Sequence, residues 1–382
     1  MLFDRETLQE NERKTLAPYA SFSSDSKGRK YKEPESRSRT AFQKDRDRVI
    51  HTSAFRRLEY KTQVFVNYEG DYYRTRLTHT LEVAQVARAL SRALGLNEDL
   101  AETVALAHDL GHPPFGHAGE ETLDRLASSV GGFDHNKQSL RIVSKLEQRY
   151  ANFPGLNLCW ETLEGIIKHE TAYDTADDQW QPGKQPSLEA QVVNLADELA
   201  YNAHDLDDGL RSGLLNIRQI ANVPLIGILM DSLGIDNQPF SREDRYLLIR
   251  ELLGLAIEDA VATTVKQIRR AGARHVNDVR GEEGRLVTNS ARVTKQLLEL
   301  RTFLHDNLYF HYRIIRMRKK ADQILSQIFE AYMTSPQMLP SATYQEIELL
   351  GLRRTITDYI AGMTDRYASE EYGKLFYPNL LT

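Results

Sequence analysis

Apolar residues recur at steps of three and four over most of this chain, with few helix breakers inside the runs and little strict alternation. The helical period is read over roughly 76 to 94, 98 to 110, 117 to 129, 136 to 150, 160 to 169, 188 to 206, 242 to 271, 289 to 333 and 343 to 363. Short punctuations such as Gly131-Gly132 and Asn152-Phe153-Pro154-Gly155 separate the runs. The best strand signal is Gln63-Val64-Phe65-Val66, followed by the turn-like Asn67 to Asp71 and a return through Tyr72-Tyr73. The expected fold is therefore all-α, with at most a small β-hairpin and no internal repeat.

Four ionisable residues interrupt the apolar stripes. His79 shares a helical face with Val83, Val86 and Leu90; His108 continues Ala101, Val104 and Ala105; Asp109 follows it directly; Asp197 falls four after Val193. A buried imidazole or carboxylate must be paired or coordinated. Singly, each reads as a hydrogen-bonded core residue. Together, in the order H…HD…D, two imidazoles and two carboxylates can hold one divalent cation and leave positions open for water and a phosphate oxygen.

At 382 residues the chain is long enough for one large domain or two modest ones, and 41% hydrophobic with 27% charged residues is ordinary for a soluble globular protein. A net charge of -5 argues against wholesale nucleic-acid binding. The stretch Lys27 to Arg48 is locally crowded with Lys and Arg, which reads either as a basic patch or as a solvated arm. Cys159 is the only cysteine, so no intramolecular disulfide forms and a reducing compartment fits. The start MLFDRETLQE lacks the build of a signal peptide, and no apolar run approaches membrane-spanning length, so a cytoplasmic protein without membrane contact is expected. Residues 1 to 45 read as a polar, flexible or partner-clasping arm, and Asp174 to Pro186 as an unusually long loop.

Three blocks carry a resemblance: DRDRVIHTSAFRRLEYKTQVF, LAHDLGHPPFGHAGE and ADELAYNAHDLDDG. From about Arg39 to Tyr312 the chain resembles the bacterial HD-domain deoxynucleoside triphosphate triphosphohydrolases, the dGTPase-like family. The resemblance implies a helical HD-domain phosphohydrolase fold, with a polar and basic arm over 1–45, a catalytic domain over 46–320 and a helical extension over 321–382 packed on the same domain. It implies cleavage of a dNTP to a deoxynucleoside and inorganic triphosphate, one divalent ion per subunit (Mn, Mg, Fe or similar), and a homo-oligomer, with a hexamer among the family's forms. It leaves open a dNTP as activator and single-stranded DNA as an ancillary ligand.

The resemblance also assigns residues. It makes His79, His108, Asp109 and Asp197 the metal ligands, and a donor set of oxygen and nitrogen without thiolate suits such an ion better than structural zinc. Expelling a 5′ oxygen is eased by a proton donor. His117 occupies the family position for that histidine, Glu120 stands one helical turn on to orient it, and His135 matches another active-site histidine. Arg76 matches a phosphate contact and His112 lines the phosphate side. Arg301, His305 and Tyr309, at steps of four, form a face directed at the nucleotide. Tyr201 would pack on the deoxyribose, with Asp205 and Gln63 at the 3′ hydroxyl; a ring at the 2′ carbon disfavours ribonucleotides sterically.

Competing expectations are another HD phosphohydrolase acting as a nucleotidase or phosphodiesterase, a nucleic-acid binding protein with a vestigial metal site, and a dNTP-sensing scaffold. Inorganic triphosphate as product separates the first; steep salt dependence of binding marks the second.

Overall fold

The computed structural model describes residues 3–64, 73–169, 180, 183–236 and 239–378. Its longer helices are α1 (Arg5–Thr15), α2 (Ala41–Ile50), α3 (Arg76–Leu94), α4 (Glu98–Ala107), α5 (Gly116–Ala127), α6 (His135–Arg141) and α7 (Trp160–Ile167). They continue with α8 (Leu188–Arg211), α9 (Pro224–Leu233), α10 (Arg242–Ala271), α11 (Ala291–Leu304), α12 (Tyr312–Thr334), α13 (Leu352–Ala361) and α14 (Asp365–Phe376). The fold is all-α, and only isolated bridges, Arg29 with Cys159 and Thr62 with Thr75, give extended pairing among the described residues. Most of the expected hairpin, from Phe65 to Tyr72, lies outside the described residues, as does most of the 174–186 loop. No helix among the described residues is long and apolar enough to cross a membrane.

The local chemistry explains the element ends that matter for the site. Thr75 caps α3 through a reciprocal pair with Thr78, and Gly95, at φ 69°, closes it in the left-handed conformation glycine tolerates. Asn97 accepts the Leu100 N–H to start α4, which tightens to a 3₁₀ turn over His108–Gly111. The central element is α8, buried almost continuously from Leu188 to Gly209 and surrounded by α3, α4, α7, α10 and α11. A helix covered on most sides has little solvent face, so its buried polar residues must find partners inside.

A second apolar cluster joins Phe115, Leu123 and Phe133 to Leu325, Ile328, Phe329, Ile356 and Ile360, seating α5 on α12 and α13. The amino-terminal segment is also laid on the body rather than free. Glu189 of α8 accepts the Ser21 N–H at 2.8 Å and its hydroxyl at 2.9 Å, and Arg29 pairs with the buried Asp45.

The run read as one helix from 289 to 333 is two. After Leu304 the backbone widens into a π-helical turn over His305–Tyr309, and α12 begins at Tyr312. His-Asp-Asn is a weak helix-forming triplet, and the Asn307 side chain turns back to the Phe303 carbonyl. The run from 343 is broken at Gly351, whose φ of 79° no helix continues. The run from 136 leaves α-geometry after Arg141, while α8 continues five residues past 206 because Leu210 and Arg211 still satisfy the helix. Helices α1, α2, α9 and α14 lie outside the runs read from the sequence, and α1 falls within the stretch expected to be a polar, flexible arm.

Candidate metal centre and active site

Three helices converge their polar interruptions on one point. His79 comes from the first turn of α3, His108 and Asp109 from the 3₁₀ turn after α4, and Asp197 from the middle of α8; all four are buried. His79 Nε2 lies 2.8 Å from Asp197 Oδ1, and His108 Nε2 lies 3.4 Å from Asp109 Oδ1 and 3.8 Å from Asp197 Oδ1. His108 donates Nδ1–H to the Ala105 carbonyl at 2.6 Å, which leaves the Nε2 lone pair facing the pocket without a hydrogen-bond partner. A buried, unsatisfied imidazole nitrogen among carboxylate oxygens fits a cation site. Burial raises the pKa of Asp109 and Asp197, but Arg76 and His108 beside the first, and hydrogen bonds with His169 and His79 at the second, outweigh it and keep both carboxyls well below the usual range.

The structure adds His169. Its Nε2 is 3.4 Å from Asp197 Oδ2, its ring lies 4.9 Å from that of His108, and donor atoms of His108, His169 and Asp197 all fall within 4.8 Å of one another. The sequence reading missed it, although Thr162, Ile166 and His169 continue one buried stripe past the end of α7, the signal that revealed His79 and His108. His204 was missed as well. It sits seven residues beyond Asp197 on α8, with Nδ1 3.2 Å from His79 Nδ1 and Nε2 2.8 Å from Glu82 Oε2.

Beside this centre lies a cluster of three more histidines and a carboxylate. Glu120 Oε2 is 3.3 Å from His117 Nδ1, while Glu120 Oε1 accepts the His135 backbone N–H and contacts its Nδ1, each at 2.8 Å. The His112 ring stacks on His135 at 3.8 Å. Burial works against the charge on Glu120, but His135 and the hydrogen bond with His117 hold its carboxyl well below the usual range. The His117 side chain is 43% exposed against 3% for His112 and 2% for His135, so His117 is the most accessible of the three histidines.

The metal-side pocket is lined by Gln63, Arg76, His112, His117, His135, Tyr201 and Arg301 together with the four ligand candidates, His169, Glu198 and Asn202. It meets a wider cavity through Gln63, His117 and Tyr201, where Glu120, His305, Tyr309, Phe133 and Phe310 form the walls. Arg76 is turned onto Asp109, with Nη1 3.1 Å from each carboxylate oxygen, and its buried Nε has no partner. Arg301 lies in the metal-side pocket, whereas His305 and Tyr309, which stand on the widened turn after Leu304, face the wider cavity. Asp205 lines neither space directly; it accepts the Tyr309 hydroxyl, and burial pushes its carboxyl up to about 7.

The basic stretch near the amino end is extensively neutralised. Arg29 pairs with Asp45, Lys44 and Arg48 with Glu33, Arg39 with Asp47, and Arg46 with Asp99 and Glu102.

Comparison with known proteins agrees with this geometry. Residues 76–202 match the HD domain, the span that carries all four ligand candidates, and residues 287–374 match a phosphohydrolase-associated domain. Proteins described as deoxyguanosinetriphosphate triphosphohydrolase-like are similar over nearly the whole length. One from Geobacter metallireducens is 50% identical over 96% of this chain and 96% of its own. One from Geobacter sulfurreducens is 49% identical over 99% of each, and one from Caulobacter vibrioides 48% identical over 94% of this chain and 96% of its own.

Proposed function

The chain belongs to the deoxyguanosinetriphosphate triphosphohydrolase-like family of HD-domain phosphohydrolases, and on that premise we propose that it hydrolyses deoxynucleoside triphosphates to a deoxynucleoside and inorganic triphosphate. The observation that carries the reading is the junction of two spaces at His117: a buried donor set suited to a divalent cation on one side, and a cavity walled by Tyr201, Tyr309 and His305 on the other. A triphosphate and a nucleoside need such unlike surroundings side by side.

His79, His108, Asp109 and Asp197 would hold one divalent ion (Mn, Mg, Fe or similar), with His169 at the edge of the set. That ion supplies Lewis-acid chemistry, activating water and offsetting charge on phosphoryl oxygens. Arg76 and Arg301 bring guanidinium groups to the phosphate side. Water adds to the α-phosphorus, the bond to O5′ breaks, and O5′ must take a proton to leave as a hydroxyl. His117, exposed to the cavity and braced by Glu120, is placed to donate it. Glu120 is itself braced by two contacts with His135, so the histidine is oriented by a carboxylate that is in turn fixed. Tyr201 packs towards the sugar, and Gln63 and Tyr309 meet its 3′ side, with Asp205 acting from behind by holding the Tyr309 hydroxyl.

Incubating the purified protein with each dNTP and Mn or Mg, and resolving products by ion exchange, tests the reading. Deoxynucleoside and inorganic triphosphate in equal amounts are expected. Release of orthophosphate or pyrophosphate, or cleavage of a cyclic or bridging phosphodiester in preference to dNTPs, would assign the site to another phosphohydrolase reaction.

A further inference from the structure

The turn that delivers His117 is not held by its own neighbours alone. Phe115 sits at φ 65°, a left-handed conformation that costs a non-glycine residue free energy, directly before the first residue of α5, and its side chain gives that helix no cap. Its N–H is taken instead by Asp365 Oδ1 at 2.8 Å, from the start of α14, 250 residues away. The other oxygen of Asp365 accepts the Thr62 N–H at 2.9 Å and also the Thr62 hydroxyl. One buried carboxylate thus ties together the segment that ends in Gln63 and the turn that leads to His117. A parallel tie lies beside it: Lys61 Nζ, fully buried, donates to the Ala361 carbonyl at 3.1 Å and to the His112 carbonyl.

We propose that Asp365 is a positioning residue for the reaction, clamping the Thr62–Gln63 segment and the Phe115–His117 turn to one carboxylate so that His117 and Gln63 face the same substrate. This rests on the function proposed above for His117, but its geometric content stands apart from turnover. Asp365 touches neither the cation site nor the cavity; it acts only through the two backbone segments that it grips. Asp365 is itself buried, and the groups it grips are the Thr62 N–H and hydroxyl and the Phe115 N–H, with the Lys61 ammonium nearby. Losing the carboxylate leaves the Phe115 N–H and the Thr62 N–H without buried acceptors, and the turn is free to relax out of its left-handed conformation.

The test compares Asp365→Asn with Tyr332→Phe, which removes a hydrogen bond to Glu371 in the same carboxyl-terminal region but leaves the turn untouched. An asparagine keeps the size of the side chain and loses one of its two acceptor oxygens. Turnover should fall about tenfold or more in Asp365→Asn, since small misplacements of a reacting group cost that much, with Mn²⁺ affinity, read by electron paramagnetic resonance titration, within about twofold of the parent. Tyr332→Phe should keep its turnover well below its melting temperature. The ¹⁵N-histidine spectrum should show the His117 signals displaced in Asp365→Asn and unmoved in Tyr332→Phe, a readout independent of which bond the enzyme cuts. Should Asp365→Asn not fold, Thr62→Val, which deletes one of the three bonds, must show the same displacement and a smaller loss of rate. Unmoved His117 signals, or rate losses in both variants that simply track stability, overturn the proposal. A displaced His117 in a protein whose parent releases no triphosphate leaves the clamp standing and removes the proposed function instead.

Discussion

A histidine that offers one nitrogen to a cation keeps its aim only if the other nitrogen is held, and His79 reaches for this through His204, which in turn meets Glu82. With Nδ1–H of His79 donated to His204 Nδ1 and Nε2–H of His204 donated to Glu82, the Nε2 lone pair of His79 is left for the site. Burial lowers the pKa of His204 to about 4 against the pull of Glu82, so the neutral ring needed for this relay is the stable form at neutral pH. His204→Phe should therefore weaken divalent binding by roughly ten- to a hundredfold, the usual worth of an outer partner, while His204→Gln, able to accept and donate at the same places, should retain most of it; isothermal titration with Mn²⁺ decides, and equal affinities for the two variants would refute the relay. His117→Ala should leave cation and nucleotide binding in place and lower turnover by about two or more orders of magnitude, whereas Asp109→Ala should lose the cation. Asp205 gives a pH effect of definite sign. Its carboxyl is raised to about 7, so the folded protein holds that proton more tightly than the unfolded chain between roughly pH 4 and 7. This contribution to stability is present at the acid end and lost as pH rises through 7. Melting temperatures between pH 5 and pH 8 should fall less steeply for Asp205→Asn than for the parent, and parallel slopes would contradict the assignment.

Between residues and the whole, the decisive element is the turn from Gly111 to α5. Gly119 packs so tightly that a Cβ there would stand 1.9 Å from the Pro114 carbonyl oxygen, a backbone atom that cannot yield without opening the turn. Gly119→Ala should cost about 1–3 kcal/mol in urea unfolding and lower turnover with little change in cation affinity, since His79 and Asp197 lie on other helices. Helix existence was legible because apolar spacing is a local property, and the runs read over 76 to 94 and 242 to 271 coincide with α3 and α10. The break after Leu304 was not legible. His305 and Tyr309 keep a four-residue spacing whether the backbone is α-helical or widened, so spacing alone could not say that they face a different cavity from Arg301.

At the scale of the molecule, the candidate cation site joins α3, the turn after α4, and α8, and the second apolar cluster joins α5 to α12 and α13. Ligand bound only by the folded chain adds to its stability, by about 2.7 kcal/mol at a hundred times the dissociation constant. Stripping the protein with chelator should therefore lower its melting temperature, and Mn²⁺ should restore it in the parent but not in Asp109→Ala. By itself the sequence determined the helical class, the buried faces and the kinds of donor on them, since 3.6-residue periodicity and side-chain chemistry are written locally. Only the tertiary structure decided that His79 and Asp197 meet, that His169 and His204 join them, and that Asp365 grips Phe115 from 250 positions away. Those meetings depend on how helices cross and how turns aim them, and packing between distant segments leaves no period in the chain to be read.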